Sequence, residues 1–303
     1  MITIRDLQKR FRKTEALCGV NLDVPAGKVT AFLGPNGSGK TTTIKCAMNL
    51  MDPDAGHIDV LGVPPAKLKA EHWQRIGYVS ENQRMPEWMS VGQLLNYVRP
   101  MYGSHWDRDF EKKMLRDFEL PEHTKLKSLS RGQKMKAALL SSLAYRPQLV
   151  VLDEPFAGLD PLVREEFLSG LLELTETEGW TVWISSHDME EVDRFADRVA
   201  VIDHGRVHLE EDVATIHQRF RTVELVLPDE ALRPHQPPEH WIDFRISGRS
   251  VRFTDTNYDE SSSREQCHAV FANLVRHEAR PMKLREIFIS LAREHRTLRE
   301  VTS

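Results

Sequence analysis

The sequence is poor in cysteine. Three of 303 residues, Cys18, Cys46 and Cys267, lie scattered with no metal-ligand spacing. An odd, sparse set argues against a disulfide framework and fits a reducing compartment. No stretch approaches the roughly 18 consecutive apolar residues of a spanning helix. The opening MITIRDLQKRF has no apolar signal core. Basic charge is not in excess: 41 Lys and Arg against 45 Asp and Glu give a net charge of −4, so no nucleic-acid partner is expected. Internal repeats and sustained heptads are missing too. These absences predict a protein of the cytosol or of the cytoplasmic face of a membrane, peripheral to the bilayer.

Hydrophobic residues make up 40% of the chain, enough to bury a core, and the length suits one large domain or two modest ones. Ile2–Leu7 and Val20–Val24 read as strands. Val29–Leu33 is a short apolar run ending at a glycine, with a helix expected from Gly39 through Leu50 and a strand at His57–Leu61. Residues 70–146 look mostly helical, with helical spacing over Ser90–Tyr102 and Asp107–Phe118. Leu149–Leu152 and Thr181–Ser185 are continuous β-type runs, as in strands buried on both faces. They alternate with helices expected over Leu162–Glu178 and Asp188–Ala196, and Val199–Asp203 reads as a further strand. This alternation predicts an α/β fold with a largely parallel sheet.

Beyond residue 218 the composition shifts. Pro228, Pro234, Pro237 and Pro238 fall within eleven residues. Strands are expected at Trp241–Ile246 and Ser250–Thr254, and helices at Ser263–His277 and Leu284–His295. Residues 218–303 therefore read as a small α+β appendage, nearly neutral and rich in arginine.

Gly34, Pro35, Asn36, Gly37, Ser38, Gly39, Lys40 and Thr41 match the phosphate-binding pattern GxxxxGK[ST] at every fixed position. The motif follows an apolar strand and opens a helix, the context it requires. Its glycines let backbone N–H groups close around a phosphate, and the helix N-terminus adds a favourable field. Lys40 supplies a mobile positive charge, and Thr41, followed by Thr42, brings a hydroxyl to Mg²⁺. Such a loop serves kinases, GTPases and many ATPases. A second signal narrows the choice: the apolar run from Leu149 ends in Asp153 and Glu154, 113 residues beyond Lys40. At a strand tip Asp153 can reach Mg²⁺, and Glu154 is the candidate general base for an attacking water.

Leu129-Ser130-Arg131-Gly132-Gln133 resembles the LSGGQ signature of ABC (ATP-binding cassette) ATPases. The resemblance covers residues 1 to about 217 and implies a P-loop cassette with a mixed sheet core, a β-rich N-terminal part and a helical subdomain near 82–146. It implies that two copies pair head to tail and sandwich two Mg-ATP, with Ser130, Gly132 and Gln133 of one facing the nucleotide of the other. Ala157-Gly158-Leu159-Asp160 resembles the D-loop, and Ser185-Ser186-His187 the H-loop, whose histidine supports catalysis. Phe11 resembles the aromatic residue that stacks on adenine. Two positions depart from the pattern. Arg131 replaces the first signature glycine, and Glu81 stands where the family has a glutamine that touches the metal. Gln83 is an alternative at that position, while Glu81 can still offer Mg²⁺ an oxygen. By resemblance, a glutamate there and a C-terminal appendage are familiar in bacterial exporter-type ATPases. The expected role is thus an ATP-hydrolysing subunit that energises a separate transmembrane permease. A soluble mechanoenzyme would be expected to carry two cassettes or a coiled coil, a kinase would not need residues 130–133 or 185–187, and an inactive cassette would have lost reactive positions.

Overall fold

The computed structural model describes the chain apart from residues 82, 157–158, 160, 232–233, 235, 272 and 303 and the side chains of 174 and 295–302. It divides into two compact units, one of Met1–Asp188 with Phe195–Glu210 and one of Met189–Arg194 with Glu211–Ser303.

The first unit opens with β1 (Ile2–Phe11), β2 (Thr14–Val24) and β3 (Val29–Leu33), followed by α1 (Lys40–Ala47) and β4 (Ala55–Val60). Next come α2 (Ala70–Trp73), β5 (Ile76–Ser80), α3 (Val91–Tyr102), α4 (Arg108–Asp117) and α5 (Arg131–Leu143). The chain then alternates through β6 (Leu149–Asp153), α6 (Pro161–Glu178), β7 (Thr181–Ser186), α7 (Met189–Val192), β8 (Arg198–Asp203) and β9 (Arg206–Asp212). α7 and the end of β9 fall in the second unit.

β1 is the centre of an antiparallel sheet ordered β2-β1-β4. The larger sheet runs β5-β6-β7-β3-β8-β9, its first five strands parallel. Every residue of β3, β6 and β7 is buried, as expected of parallel strands covered on both faces. Ile2, Ile4, Leu22, Phe32, Ile44, Met48 and Trp183 pack into one core. The parallel register sets Ser80, Asp153, Ser185 and Phe32 abreast. The C-terminal ends of four neighbouring strands therefore reach one edge together, where loops can gather side chains from distant parts of the chain.

Helix starts follow local capping chemistry. The Ser90 hydroxyl accepts from Gln93 N–H at the head of α3 (3.2 Å), and the Asp107 carboxylate accepts from Phe110 N–H at the head of α4 (2.9 Å). The helix expected over Asp188–Ala196 is only the single turn α7.

In the second unit, α8 (Val213–Arg219) leads to β10 (Arg221–Val226), β11 (Trp241–Ser247) and β12 (Ser250–Asp255). α9 (Ser263–Val270), β13 (Arg276–Pro281) and α10 (Leu284–Thr302) follow. The antiparallel sheet is ordered β11-β12-β10-β13, and Trp241 stacks on Phe253 at 4.3 Å in its core. The helix expected over Ser263–His277 stops at Val270. Phe271 is buried, Asn273 takes a left-handed φ of 54°, and Arg276–Pro281 pairs with β10 as an edge strand. Charged residues and a proline suit such an edge, so tertiary pairing overrides helical periodicity there. Burial pushes the Cys46 thiol up to about 11 and the Cys267 thiol up to about 12, which makes both unreactive.

Candidate functional site

Residues 34–39 join the buried strand β3 to the N-terminus of α1. Gly39 precedes the helix at φ 115°, and a Cβ there would stand 2.9 Å from the Ala16 carbonyl oxygen. Both the torsion and the close approach require glycine. Gly34 is tighter still, since a Cβ would lie 2.2 Å from the Ile202 carbonyl oxygen. Pro35, Asn36 and Gly37 form the exposed tip, while Ser38 is buried and its hydroxyl has no hydrogen-bond partner among the described residues. Thr41 and Thr42 occupy the first turn, half-buried. A glycine-rich loop opening a helix, with a spare buried hydroxyl, is a site for an anion.

The Lys40 ammonium is buried. It donates to the carbonyl oxygens of Gly34 (2.7 Å) and Pro35 (3.2 Å) and lies 3.0 Å from Glu154 Oε1. Glu154 sits just past β6 at φ 51°, a left-handed torsion that strains a residue with a side chain. Its other oxygen, Oε2, is 2.8 Å from His187 Nδ1, which follows β7. One carboxylate thus joins a buried cation to a half-exposed imidazole.

Asp153, at the end of β6, accepts from the Thr41 hydroxyl at 3.0 Å and the Ser185 hydroxyl at 2.7 Å. Burial pushes its carboxyl above the ordinary aspartate range; those two hydrogen bonds pull the other way, while the Glu154 charge adds to the rise. Ser185 Oγ also accepts from the Glu154 backbone N–H at 2.9 Å. It is the hinge of the cluster, holding both acids from the adjacent strand. The sequence displayed Ser185 only as part of the Ser-Ser-His element; its register opposite Asp153 is what assigns it that position.

The hydroxyl and carboxylate of Thr41 and Asp153 are hard oxygen donors one hydrogen bond apart. They suit Mg²⁺, which takes one or two carboxylates and completes its shell with water and phosphate oxygens. No group of three or more His, Cys, Asp or Glu among the described residues forms an all-protein metal cage.

The remaining expected residues lie in four places. Phe11 closes the β1–β2 hairpin opposite Thr14 and is 43% exposed, on the same hairpin whose Ala16 abuts Gly39. Ser130 caps α5: its hydroxyl accepts from Gln133 N–H at 3.2 Å, while the Gln133 side chain accepts from Ser130 N–H at 3.1 Å. Gly132 lies against Val163. Glu81, next after β5, donates its N–H to the Asp153 carbonyl oxygen (2.8 Å), but its carboxylate is 3.4 Å from the Arg131 guanidinium. Gln83 lines a separate cleft with Met85, Glu87 and Lys134. The expected D-loop residues Ala157, Gly158 and Asp160 lie outside the described residues.

The profile of a family described as ABC transporter matches residues 17–157, from β2 through the glycine-rich loop and the Ser130 cap to Asp153 and Glu154. Residues 17–157 are an ABC transporter ATP-binding cassette domain. The chain is 34% identical over 226 residues to the sulfate/thiosulfate import ATP-binding protein CysA of Xylella fastidiosa strain 9a5c, covering 72% of this chain and 65% of that one. To CysA of Escherichia coli K12 it is 33% identical over 214 residues, covering 68% and 58%. The chain thus spans less than two thirds of the length of these relatives. Among solved structures, the ATP-binding subunit of an ABC transporter superposes with a TM-score of 0.65 at 26% identity, over 72% of this chain and 92% of that one. A bacterial ABC transporter cassette described as dimeric gives 0.63 at 25% identity, over 70% and 99%. The P-loop cassette fold expected from the sequence is the fold present. No helix of the described residues is long and apolar enough to cross a membrane.

Proposed function

We propose that the chain hydrolyses Mg-ATP in a head-to-tail homodimer and so energises a separate transmembrane permease from the cytoplasmic face of the membrane. Residues 1–217 are assigned to the cassette and 218–303 to an accessory domain. The reading rests on the continuous contact chain from Thr41 through Asp153 and Ser185 to Glu154, and from Glu154 to Lys40 and His187.

The loop of residues 34–39 and the N-terminus of α1 take the phosphates, with Thr42 in the same turn, and Phe11 offers its ring to adenine. Lys40 moves charge to the β- and γ-phosphate oxygens. Thr41 and Asp153 would hold Mg²⁺, and Glu81 would add an oxygen only once its carboxylate leaves Arg131. When bound, the metal neutralises charge that builds on the phosphate oxygens. Glu154 accepts the proton of the attacking water, the γ-phosphoryl passes to that water's oxygen, and ADP leaves with the electron pair of the broken bond. His187 keeps the Glu154 carboxylate aimed. Ser130, Gly132 and Gln133 of the second copy cap the γ-phosphate with a helix N-terminus, and Asp160 contributes at the seam between copies. Most of the acceleration is then positioning and electrostatics.

Glu81 and the appendage resemble exporter-type subunits, whereas the CysA relatives are named as importers. The chain energises transport, and the permease sets its direction.

Mixing separates this dimer from a self-sufficient chain. Lys40→Ala lacks a working phosphate loop and Ser130→Arg lacks a working cap, so each alone should be nearly inactive. A mixed dimer regains one intact composite site, and phosphate release should rise well above that of either parent. Mixed dimers that form, by tag-selective purification, and still hydrolyse no faster than the parents would refute the sandwich.

A further inference from the structure

The signature helix α5 is anchored differently at its two ends. Its C-terminal half, Ala137–Leu143, is buried. There the Ser142 hydroxyl donates to the Tyr78 carbonyl (3.3 Å), and just beyond the helix the Tyr145 hydroxyl donates to that of Ile76 (2.7 Å). A Cβ on Gly77 would stand 2.6 Å from the Ser142 carbonyl oxygen, so helix and strand are in direct contact. Residues 131–136 are not buried. On one side Gly132 meets Val163, and Lys136 pairs with Glu166 at 3.0 Å.

On another side this N-terminal half carries Arg131 and Lys134, three residues apart and hence neighbours on the helix surface. Cations in a first turn oppose the helix dipole. Each faces a carboxylate on the segment after β5: Arg131 lies 3.4 Å from Glu81, and Lys134 lies 3.7 Å from Glu87. The same segment is joined by backbone to the residues before α5. Leu126 N–H donates to the Met89 carbonyl (2.8 Å) and Lys127 N–H to that of Glu87 (3.2 Å). Glu81 is also tied through its own N–H to Asp153. A continuous path therefore runs from Asp153 through Glu81 and Arg131 to the Ser130 cap. The two departures from the family pattern, Glu81 and Arg131, are partners in it.

We propose that Arg131 and Lys134 are positioning residues that clamp the less buried, N-terminal half of α5 to Glu81 and Glu87, so that a displacement of those two residues is transmitted to the Ser130 cap. For hydrolysis this rests on the function proposed above, but the clamp itself does not. All four side chains are at least one-third exposed, so the clamp is soft and sensitive to salt.

The outer pair provides the test, because neither Lys134 nor Glu87 has a place in the nucleotide site. Full-length Lys134→Glu, Glu87→Lys and the double exchange are compared by two readouts: amide hydrogen exchange of peptides covering 129–137 without nucleotide, and ATPase kcat and KM. Glu87→Lys, which leaves the charges of α5 unchanged, should speed exchange at the head of α5 by about threefold to fivefold, and Lys134→Glu by less, because its new anion favours the helix dipole. Each should lower kcat by a similar factor with KM little changed, and the double exchange should recover most of both losses. Single variants with unaltered exchange, or a double variant no better than the worse single, would overturn the clamp. If the wild-type chain hydrolysed no ATP, the proposed function would fail, while exchange would still decide the clamp. Arg131→Lys should retain the inner pair and Arg131→Glu lose it, and equal exchange in the two would likewise overturn the proposal.

Discussion

Replacing Glu154 by glutamine isolates the proposed base. Glutamine keeps the size of the side chain and an oxygen able to accept from His187, but it does not take up a proton near neutral pH. The adjacent Asp153 is not free to replace it: it is 3% exposed, and its Oδ1 already accepts from Thr41 and Ser185. General-base assistance contributes about 10²–10⁴-fold, so kcat should fall by that factor, or about 3–5 kcal/mol at about 1.4 kcal/mol per tenfold. Binding should hold or tighten, since Lys40 loses its competing anionic partner at 3.0 Å and keeps the carbonyls of Gly34 and Pro35. Breaking a buried ion pair outright costs about 3–5 kcal/mol; the two remaining hydrogen bonds should limit the loss here to about 1–3 kcal/mol. The assays are steady-state phosphate release, nucleotide affinity and light scattering, with an ATP-bound dimer expected to accumulate. A variant that binds Mg-ATP and turns over within about tenfold of wild type would remove Glu154 from the base role.

Trp88 is a large side chain 67% exposed on the segment after β5, a candidate contact for the proposed permease, so Trp88→Ala should weaken co-purification of the permease, with thermal stability and ATP affinity nearly unchanged. Undiminished permease recovery would remove that loop from the docking surface. Asp107→Ala removes the cap of α4 and should cost about 0.5–2 kcal/mol of stability by denaturant unfolding at neutral pH. The Phe110 N–H, then Arg146 and the Asp109 N–H, hold the Asp107 carboxyl below its ordinary range. The contribution is therefore present above the unfolded value near 3.9 and lost as pH falls through the lower folded value, so wild type and variant should converge below about pH 4.

The chemistry-bearing positions were legible because they are constrained locally. A phosphate loop needs glycine where φ is positive or backbone approaches within van der Waals distance, and Gly34 and Gly39 meet that condition. Strands buried on both faces carry apolar runs, and Leu149–Leu152 of β6 and Val182–Ile184 of β7 displayed them together with the acids and the histidine beyond. What the sequence concealed depends on pairing between distant segments. β13 has the charged composition of a helix face and becomes a strand because β10 offers an open edge. Burial is equally invisible at Trp88 and Met89, two large adjacent side chains of which the fold exposes the first and buries the second.

The same distinction explains why Glu81 and Arg131 looked like two independent departures from a motif. Separated by 50 residues, they carry no periodicity that relates them. Side by side they answer each other: a carboxylate in place of the amide at 81 gives a cation in place of glycine at 131 a partner, while the Glu81 backbone N–H is bonded to the Asp153 carbonyl. Reverting Arg131 to glycine alone would free the carboxylate beside the buried Asp153, and changing Glu81 to glutamine alone would leave a cation facing the dipole of α5. If the pairing matters, the two positions have to be altered together, and their effects on turnover should be non-additive, as expected of groups in one contact network.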